Sequence, residues 1–317
     1  MKNKCLYCYK ELKGEEDFHS KCSLAFFGTE VPPKLLYSLD QMSELAKSVI
    51  ERSVAVPGVQ PKLSMTLIDE EKEKSDKRLT VVGALGGNFI FKPPSENFVE
   101  MPENEHLTMR MAELYGISVV PSSLIRLESG ELSYITKRID RREDGSKIHM
   151  IDMFQVTEAF DKYKGSMERV GKALDLYASN TLLDKLRFFE LTVFSFLTGN
   201  NDMHLKNFSM IKTNVGWGLS PAYDLLNVTI VNPEDKEEFA LTIAGKKRKI
   251  SSEILTNFGL DLGLNTKQVN SVYKRFEKQK SNVLTLINNS FLSNEMKQEY
   301  IDLLQDRFMK IILKKDK

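Results

Sequence analysis

The chain has 317 residues, 45 Lys and Arg against 44 Asp and Glu, a net charge of +1, and 41% hydrophobic residues. That length accommodates two domains or two lobes of one enzyme with ample core, and the balanced charge gives no general attraction to nucleic acid or to a membrane surface. The longest apolar run, Leu191 to Leu197, is far too short to cross a bilayer, and Met1-Lys2-Asn3-Lys4 leads into no secretory-type apolar segment, so the cytoplasm is the expected compartment.

All three cysteines lie near the N-terminus, as Cys5-x-x-Cys8 and then His19-x-x-Cys22. Two such pairs supply four ligands for one tetrahedral zinc, and Lys13 to Asp17 offer the turn between them. The alternative is three reduced thiols and a surface histidine. An odd cysteine count argues against a disulfide framework, and His19 is the fourth ligand a closed structural site needs. Residues 1–30 are therefore expected to form a cysteine/histidine cluster, a candidate zinc knuckle.

Val31-Pro32-Pro33 has the composition of a linker, and Ser43 to Ile50 that of a short helix. Val54 to Leu67 holds two strand-like runs about Pro57-Gly58, the second alternating through Leu63, Met65 and Leu67. A glycine-bearing hairpin of this kind can turn backbone N–H groups toward phosphates, although an ordinary hairpin has the same composition. The charged run Asp69 to Arg78 is expected to be a solvated loop. Gly83-Ala84-Leu85-Gly86-Gly87 has no helix directly after it, so it is a turn feeding the strand Asn88 to Lys92 rather than a phosphate loop.

The helical pattern over Asn104 to Gly116 places Leu107, Met111 and Leu114 on one face, with Gly116 as the stop and Glu105 in the first turn. Two further strands, Ser122 to Leu127 and Leu132 to Thr136, flank a Ser129-Gly130 turn, and Lys137-Arg138-Ile139-Asp140-Arg141-Arg142 leaves the sheet. From about Ile151 the pattern is helical. Leu174 to Leu197, apolar on nearly every face, suits a helix pair buried in a larger lobe. The basic run Gly245 to Lys249 suits a solvated loop. The tail is helical, with Val269, Val272 and Phe276 on one face and Ile301, Leu304, Phe308 and Ile311 on another.

The densest chemistry is in Gly199-Asn200-Asn201-Asp202-Met203-His204-Leu205-Lys206-Asn207-Phe208. Asp202 and Asn207 have the Asp-x-x-x-x-Asn spacing of a kinase catalytic loop, where the aspartate accepts the substrate hydroxyl's proton and the asparagine holds magnesium. Asp224, in Pro221-Ala222-Tyr223-Asp224, follows after a hairpin and stands where a second metal-binding carboxylate belongs.

Together these segments resemble the HipA family of bacterial toxin kinases. Val56 to Lys62 resembles that family's Gly-x-Gln-x-Lys phosphate loop, Phe89 to Lys92 its ATP-lysine strand, and Thr136 to Arg141 its lobe connection. Gly199 to Phe208 is similar to its Asp-x-His-x-Lys-Asn-Phe catalytic loop, and Pro221 to Leu225 to its Pro-x-Tyr-Asp metal motif. The five occur in the family's order, over residues ~50 to ~230. The implied fold is α+β and two-lobed, of protein-kinase type, with a small β-rich N-lobe at 31–140 and a larger, mostly helical C-lobe at 141–317.

The resemblance implies a Ser/Thr protein kinase that uses ATP and magnesium. Asp202 would be the general base, with His204 and Lys206 supporting the loop or the γ-phosphate. Pro57, Gly58, Val59, Gln60, Pro61 and Lys62 would wrap the phosphates, Lys92 would contact them, and Glu105 would pair Lys92. Lys137, Arg138 and Ile139 would line the adenine. Asn207 and Asp224, the latter beside Tyr223, would hold magnesium. Implied partners are a protein substrate, which in this family is an aminoacyl-tRNA synthetase, and cognate antitoxins; direct binding of nucleic acid or membrane is not expected.

Three departures stand out. Ala55 occupies the position of HipA's autophosphorylated serine, with Ser53 two residues off. Lys137-Arg138-Ile139 replaces Glu-Arg-Phe. Only about fifty residues precede the loop, as in the shorter HipT branch, where a separate HipS protein supplies the missing subdomain and HipB binds DNA. Two other functions fit parts of the pattern: a phosphoinositide-type lipid or small-molecule kinase, through Asp-x-His-x-x-Asn, and a catalytically inactive pseudokinase serving a repressor complex. Intact Asp202, Asn207 and Asp224 argue against the second.

Overall fold

The computed structural model describes residues 3–52, 62–69, 77–82, 86–95, 97–142 and 144–311. The chain divides into two units. The first comprises 1–106, 120–146 and 289–291, and the second 107–119, 147–288 and 292–317.

The first unit is built on a five-stranded antiparallel sheet of β1 (Leu63–Asp69), β2 (Lys77–Val82), β3 (Phe89–Lys92), β4 (Ser122–Arg126) and β5 (Leu132–Lys137), in the order β2-β1-β3-β5-β4. Ahead of it come α1 (Ser20–Phe27) and α2 (Leu39–Arg52). Helix α2 begins later in the sequence pattern than in the structure because its start is a capping box. The Ser38 and Gln41 side chains each accept from the other's backbone N–H, at 3.3 and 2.9 Å.

The charged run expected to be a loop is in part paired strand: Asp69 lies opposite Lys77 and Ile68 opposite Arg78. Alternation explains the difference. Arg78 turns to solvent while Leu79 is buried, so charge on one face does not prevent pairing on the other.

Helix α3 (Met101–Leu114) starts three residues earlier than its sequence pattern, since Pro102 falls in the first turn, where its missing N–H costs nothing. Glu105 therefore sits in the second turn rather than the first. The helix stops at Gly116, whose φ of +77° is left-handed.

The second unit is mostly helical. A small antiparallel sheet, β6 (Met150–Asp152), β7 (Ser209–Thr213) and β8 (Gly216–Leu219), carries the loop that bears Asp202. Ile151, where helix was expected to begin, is instead paired with Met210 in this sheet. The helical part starts at α4 (Met153–Val156), capped by the Asp152 side chain accepting from Gln155 N–H.

Then follow α5 (Met167–Tyr177) and α6 (Thr181–Leu197). Helix α6 is buried on nearly every face from Phe188 to Leu197, as its sequence requires. Helices α7 (Val228–Val231), α8 (Ser252–Asp261), α9 (Thr266–Asn289) and α10 (Asn294–Ile311) complete the unit. Val269, Val272, Phe276, Leu304, Phe308 and Ile311 are all buried. Among the described residues no helix is long and apolar enough to cross a membrane.

Candidate active site

In the first unit, Lys92 ends β3 opposite Tyr134 of β5 and turns inward, 3% exposed. Its Nζ lies 2.6 and 2.7 Å from the two oxygens of Glu105, itself 1% exposed, and 5.3 Å from the centre of the Tyr134 ring. Stripping two charges of water is costly, and breaking such a pair leaves an uncompensated buried ion. Function is a common reason for such a pair to persist where two apolar residues would pack as well.

Nearby residues of the same unit are less uniformly placed. Lys137 closes β5 with its ammonium 5.8 Å from the Phe26 ring centre. Arg138 donates its backbone N–H to the Asn88 carbonyl and its guanidinium forks onto Asp140 at 2.9 and 2.7 Å. Burial pushes the Asp140 carboxyl up, but Arg138 and Arg141 outweigh it and hold it below the usual carboxylate range. Ile139 is half-buried and Lys62 exposed. Pro57, Gly58, Val59, Gln60 and Pro61, with Ser53 and Ala55, lie outside the described residues. Cys5, Cys8, His19 and Cys22 converge, with one ligand atom from each within 4.8 Å of the others.

In the second unit the loop after α6 is shaped by Gly199 at φ +66°. A β-carbon there would meet side-chain atoms of Leu303, Thr229 and Asn227 at 2.6 to 2.9 Å, so those side chains would have to shift, in a backbone conformation that favours glycine. The Gly199 carbonyl accepts from the N–H groups of Val228 and Thr229 and from the Thr229 hydroxyl. Asn201 is tied by its amide to Asp235 and to the Glu237 carbonyl, both at 3.1 Å.

The chain then closes on itself. His204 N–H donates to the Asp202 carbonyl at 2.8 Å, and Leu205 to Asn207 make one 3-10 turn. The Asn207 amide donates to the same Asp202 carbonyl at 2.9 Å, which leaves its side-chain oxygen as the group able to face a cation. Lys206 is exposed, its ammonium 4.9 Å above the Phe154 ring. His204 is buried, its ring edge-on to Tyr163 at 5.1 Å.

Tyr223 joins the second acidic segment to this loop. Its hydroxyl donates to the Lys206 carbonyl at 2.9 Å and therefore accepts from Ser209 at 2.5 Å. Asp224 follows at φ +59°, a conformation uncommon for a residue with a side chain and frequent at functional sites. Burial and the nearby charges of Asp224 and Asp152 push the Tyr223 phenol up, so it remains a donor.

Sequence reasoning did not find Tyr163. Its hydroxyl donates to Asp202 Oδ1 at 2.9 Å, across 39 residues of sequence. Burial first, and then the Asp202 charge, push its phenol up as well. The surrounding Asp161-Lys162-Tyr163-Lys164-Gly165 shows only a charged turn, with no signal of this contact.

The match to known proteins is extensive. The model of the HipA-like C-terminal domain matches residues 54–283. A Haemophilus influenzae protein named "Putative kinase" is 28% identical over 211 residues, which are 62% of this chain and 59% of that protein. The serine/threonine-protein kinase toxin HipA of Shewanella oneidensis is 26% identical over 206 residues, 58% of this chain and 45% of that one. The chain thus spans about half the length of the curated relatives it matches.

A solved structure of the Shewanella oneidensis HipA, HipB and operator DNA complex matches 89% of this chain and 73% of the other at a TM-score of 0.69 and 21% identity. The Helicobacter pylori proinflammatory kinase CtkA matches 78% and 91% at 0.54 and 16%. The fold is therefore the α+β fold of these kinases, and the chain belongs to the HipA-like C-terminal domain family.

Proposed function

We propose that this chain is a serine/threonine protein kinase that transfers the γ-phosphoryl group of ATP to a protein hydroxyl. The observation that carries this is the bidentate, fully buried Lys92–Glu105 pair, joining the end of a sheet strand to a helix as nucleotide-lobe chemistry requires. In the proposal Lys92, held by Glu105, meets the ATP phosphates. Residues 57–62 wrap the phosphates, and residues 137–139 meet the adenine. Asp202 accepts the proton of the attacking hydroxyl, and His204 and Lys206 support the loop and the charge of the transferred group.

Asn207 and Asp224 are hard oxygen donors of the kind magnesium prefers. The commitment of the Asn207 amide to the Asp202 carbonyl turns its other end to that use. Bound magnesium would neutralise phosphate charge. Phosphoryl transfer asks mainly for positioning and charge stabilisation, and these side chains supply both.

By analogy with the Shewanella toxin, we further propose a toxin role in which the substrate is a translation-related protein such as an aminoacyl-tRNA synthetase. The partners would be a HipS-like small protein and a HipB-like DNA-binding protein, with DNA contact left to the latter.

The test is transfer from labelled ATP and magnesium into a cell extract, wild type against Asp202→Asn. Protein-linked label on serine or threonine that vanishes in Asp202→Asn, with ATP still bound, is the expected result. Label in lipid alone points to the lipid-kinase alternative. ATP bound with no transfer by wild type points to a pseudokinase. Equal labelling by both proteins removes Asp202 from the mechanism.

A further inference from the structure

The cysteine and histidine residues ahead of the sheet have the geometry of an ion site. Tyr9 N–H donates to the Cys5 carbonyl at 2.9 Å, closing a tight turn around Cys8. The N–H groups of Cys22 and Ser23 donate to the His19 carbonyl at 2.8 and 3.0 Å, which opens α1 with His19 and Cys22 one turn apart. His19 Nδ1 then lies 3.5 Å from Cys8 Sγ and 3.8 Å from Cys22 Sγ. Its other nitrogen, Nε2, is 3.1 Å from the Glu11 carbonyl. That carbonyl can only accept, so Nε2 carries the proton and Nδ1 turns its lone pair to the sulfurs.

All four ligand atoms fall within 4.8 Å of one another. Zinc bonds to one nitrogen and three sulfurs place tetrahedral ligand atoms about 3.5–3.8 Å apart, so the cluster needs only a small contraction. Cys5 and Cys22 are 0% and 6% exposed, which limits competition from water.

The knuckle is not a separate appendage of its unit. Arg126 of β4 forks onto Asp17 at 2.9 to 3.1 Å. Phe26 and Phe27 of α1 lie 5.9 and 6.2 Å from Phe89, at the start of the Lys92 strand. Tyr9, turned out of the knuckle at φ +63°, brings its hydroxyl to 2.9 Å from His106 Nδ1 and meets that ring edge-on. His106 directly follows Glu105.

We propose that Cys5, Cys8, His19 and Cys22 bind one structural zinc ion, and that the zinc-set turn, through Tyr9 and His106, braces the part of α3 that presents Glu105 to Lys92. The four protein ligands fill the coordination sphere, so the ion has no open position for substrate. Its role is to hold residues 5–9 in the one shape that aims Tyr9.

The test uses the full chain purified without chelator. Elemental analysis is expected to find one zinc per chain. Replacement by Co2+ is expected to give a thiolate-to-cobalt charge-transfer band with tetrahedral d–d bands, at one equivalent. Metal-free wild type that shows no such band on Co2+ titration would overturn the site, and this readout depends on no variant folding.

Hydrogen exchange then tests the brace. Removing zinc is expected to speed exchange tenfold or more at amides 5–9 and 101–106 while leaving α9 unchanged. Tyr9→Phe is expected to keep one zinc per chain and speed exchange only at 101–106. Acceleration confined to residues 3–27 on zinc removal would overturn the brace while leaving the site. None of these readouts involves phosphoryl transfer, so their failure is distinct from failure of the kinase proposal.

Discussion

Tyr163 donates its hydroxyl to Asp202 Oδ1 at 2.9 Å, the contact that a substrate serine or threonine would make with the same carboxylate. The orientation of this carboxylate, the proposed general base, is thus held in part by a residue outside its own loop. Tyr163→Phe is expected to lower kcat by about three- to tenfold, the worth of one hydrogen bond of about 1 kcal/mol. The KM for ATP should not change, because the hydroxyl contacts the proposed base and not a residue proposed to bind the nucleotide. Steady-state kinetics at saturating protein substrate check this, and a raised KM for ATP with unchanged kcat would contradict it.

The Lys92–Glu105 pair separates stability from activity. Lys92→Met alone removes the bidentate counter-ion of the buried Glu105 carboxylate, and about 3–5 kcal/mol of unfolding free energy should be lost. Adding Glu105→Leu removes that carboxylate, so the double variant should regain most of that stability. Both should remain inactive. Chemical denaturation beside a transfer assay decides it; a double variant no more stable than the single one would show that packing around Tyr134, not charge, dominates the site.

Gly199 sets the loop entry. Gly199→Ala places a methyl against Leu303, Thr229 and Asn227 in a backbone conformation that L residues avoid. A loss of about 2–4 kcal/mol is expected, with activity falling alongside because the Asp202 turn starts there. Gly245→Ala, also at positive φ but with nothing within 4 Å, is the control and should cost about 1 kcal/mol.

Glu103, in the first turn of α3, supplies a pH signature. Burial pushes its carboxyl up to about 7, with Glu100 adding to the effect and a backbone N–H opposing it. A folded-state value above the unfolded one means the folded protein holds the proton longer. Its contribution is therefore complete below about pH 4.5 and is lost as pH rises through 7. Between pH 5 and 8 the wild type should lose on the order of 2 kcal/mol more stability than Glu103→Gln, measured by thermal unfolding in matched buffers. Identical pH slopes for the two proteins would show that Glu103 is ionised throughout.

What was legible in the sequence was local. Asp202 and Asn207, close in sequence, meet through one side-chain hydrogen bond, and β3, β5 and the β7–β8 hairpin announce themselves by alternation and turn residues. The start of α3 was hidden by Pro102, which reads as a breaker unless it is known to occupy the first turn. Strand β2 was hidden by the charges of Lys77 and Arg78, which occupy a solvent face. Strand β6 is only three residues long and exists because β7 offers it an edge. Tyr163 was illegible for a different reason: its partner is set by the packing of Leu205 N–H on the Lys162 carbonyl, which no periodicity records.

The left-handed backbone at Asp224 constrains how the second acidic position can be probed. Asparagine keeps both the local conformation and an oxygen ligand, whereas alanine or glutamate also forces the turn after Tyr223 to readjust. A lost response to magnesium in Asp224→Ala would therefore mix two causes, ligand and backbone. Asp224→Gly separates them, because it keeps the left-handed backbone and removes the ligand, while Asp224→Asn removes only the negative charge. The position admits very few side chains on shape alone, and only those that carry an oxygen can also serve a cation.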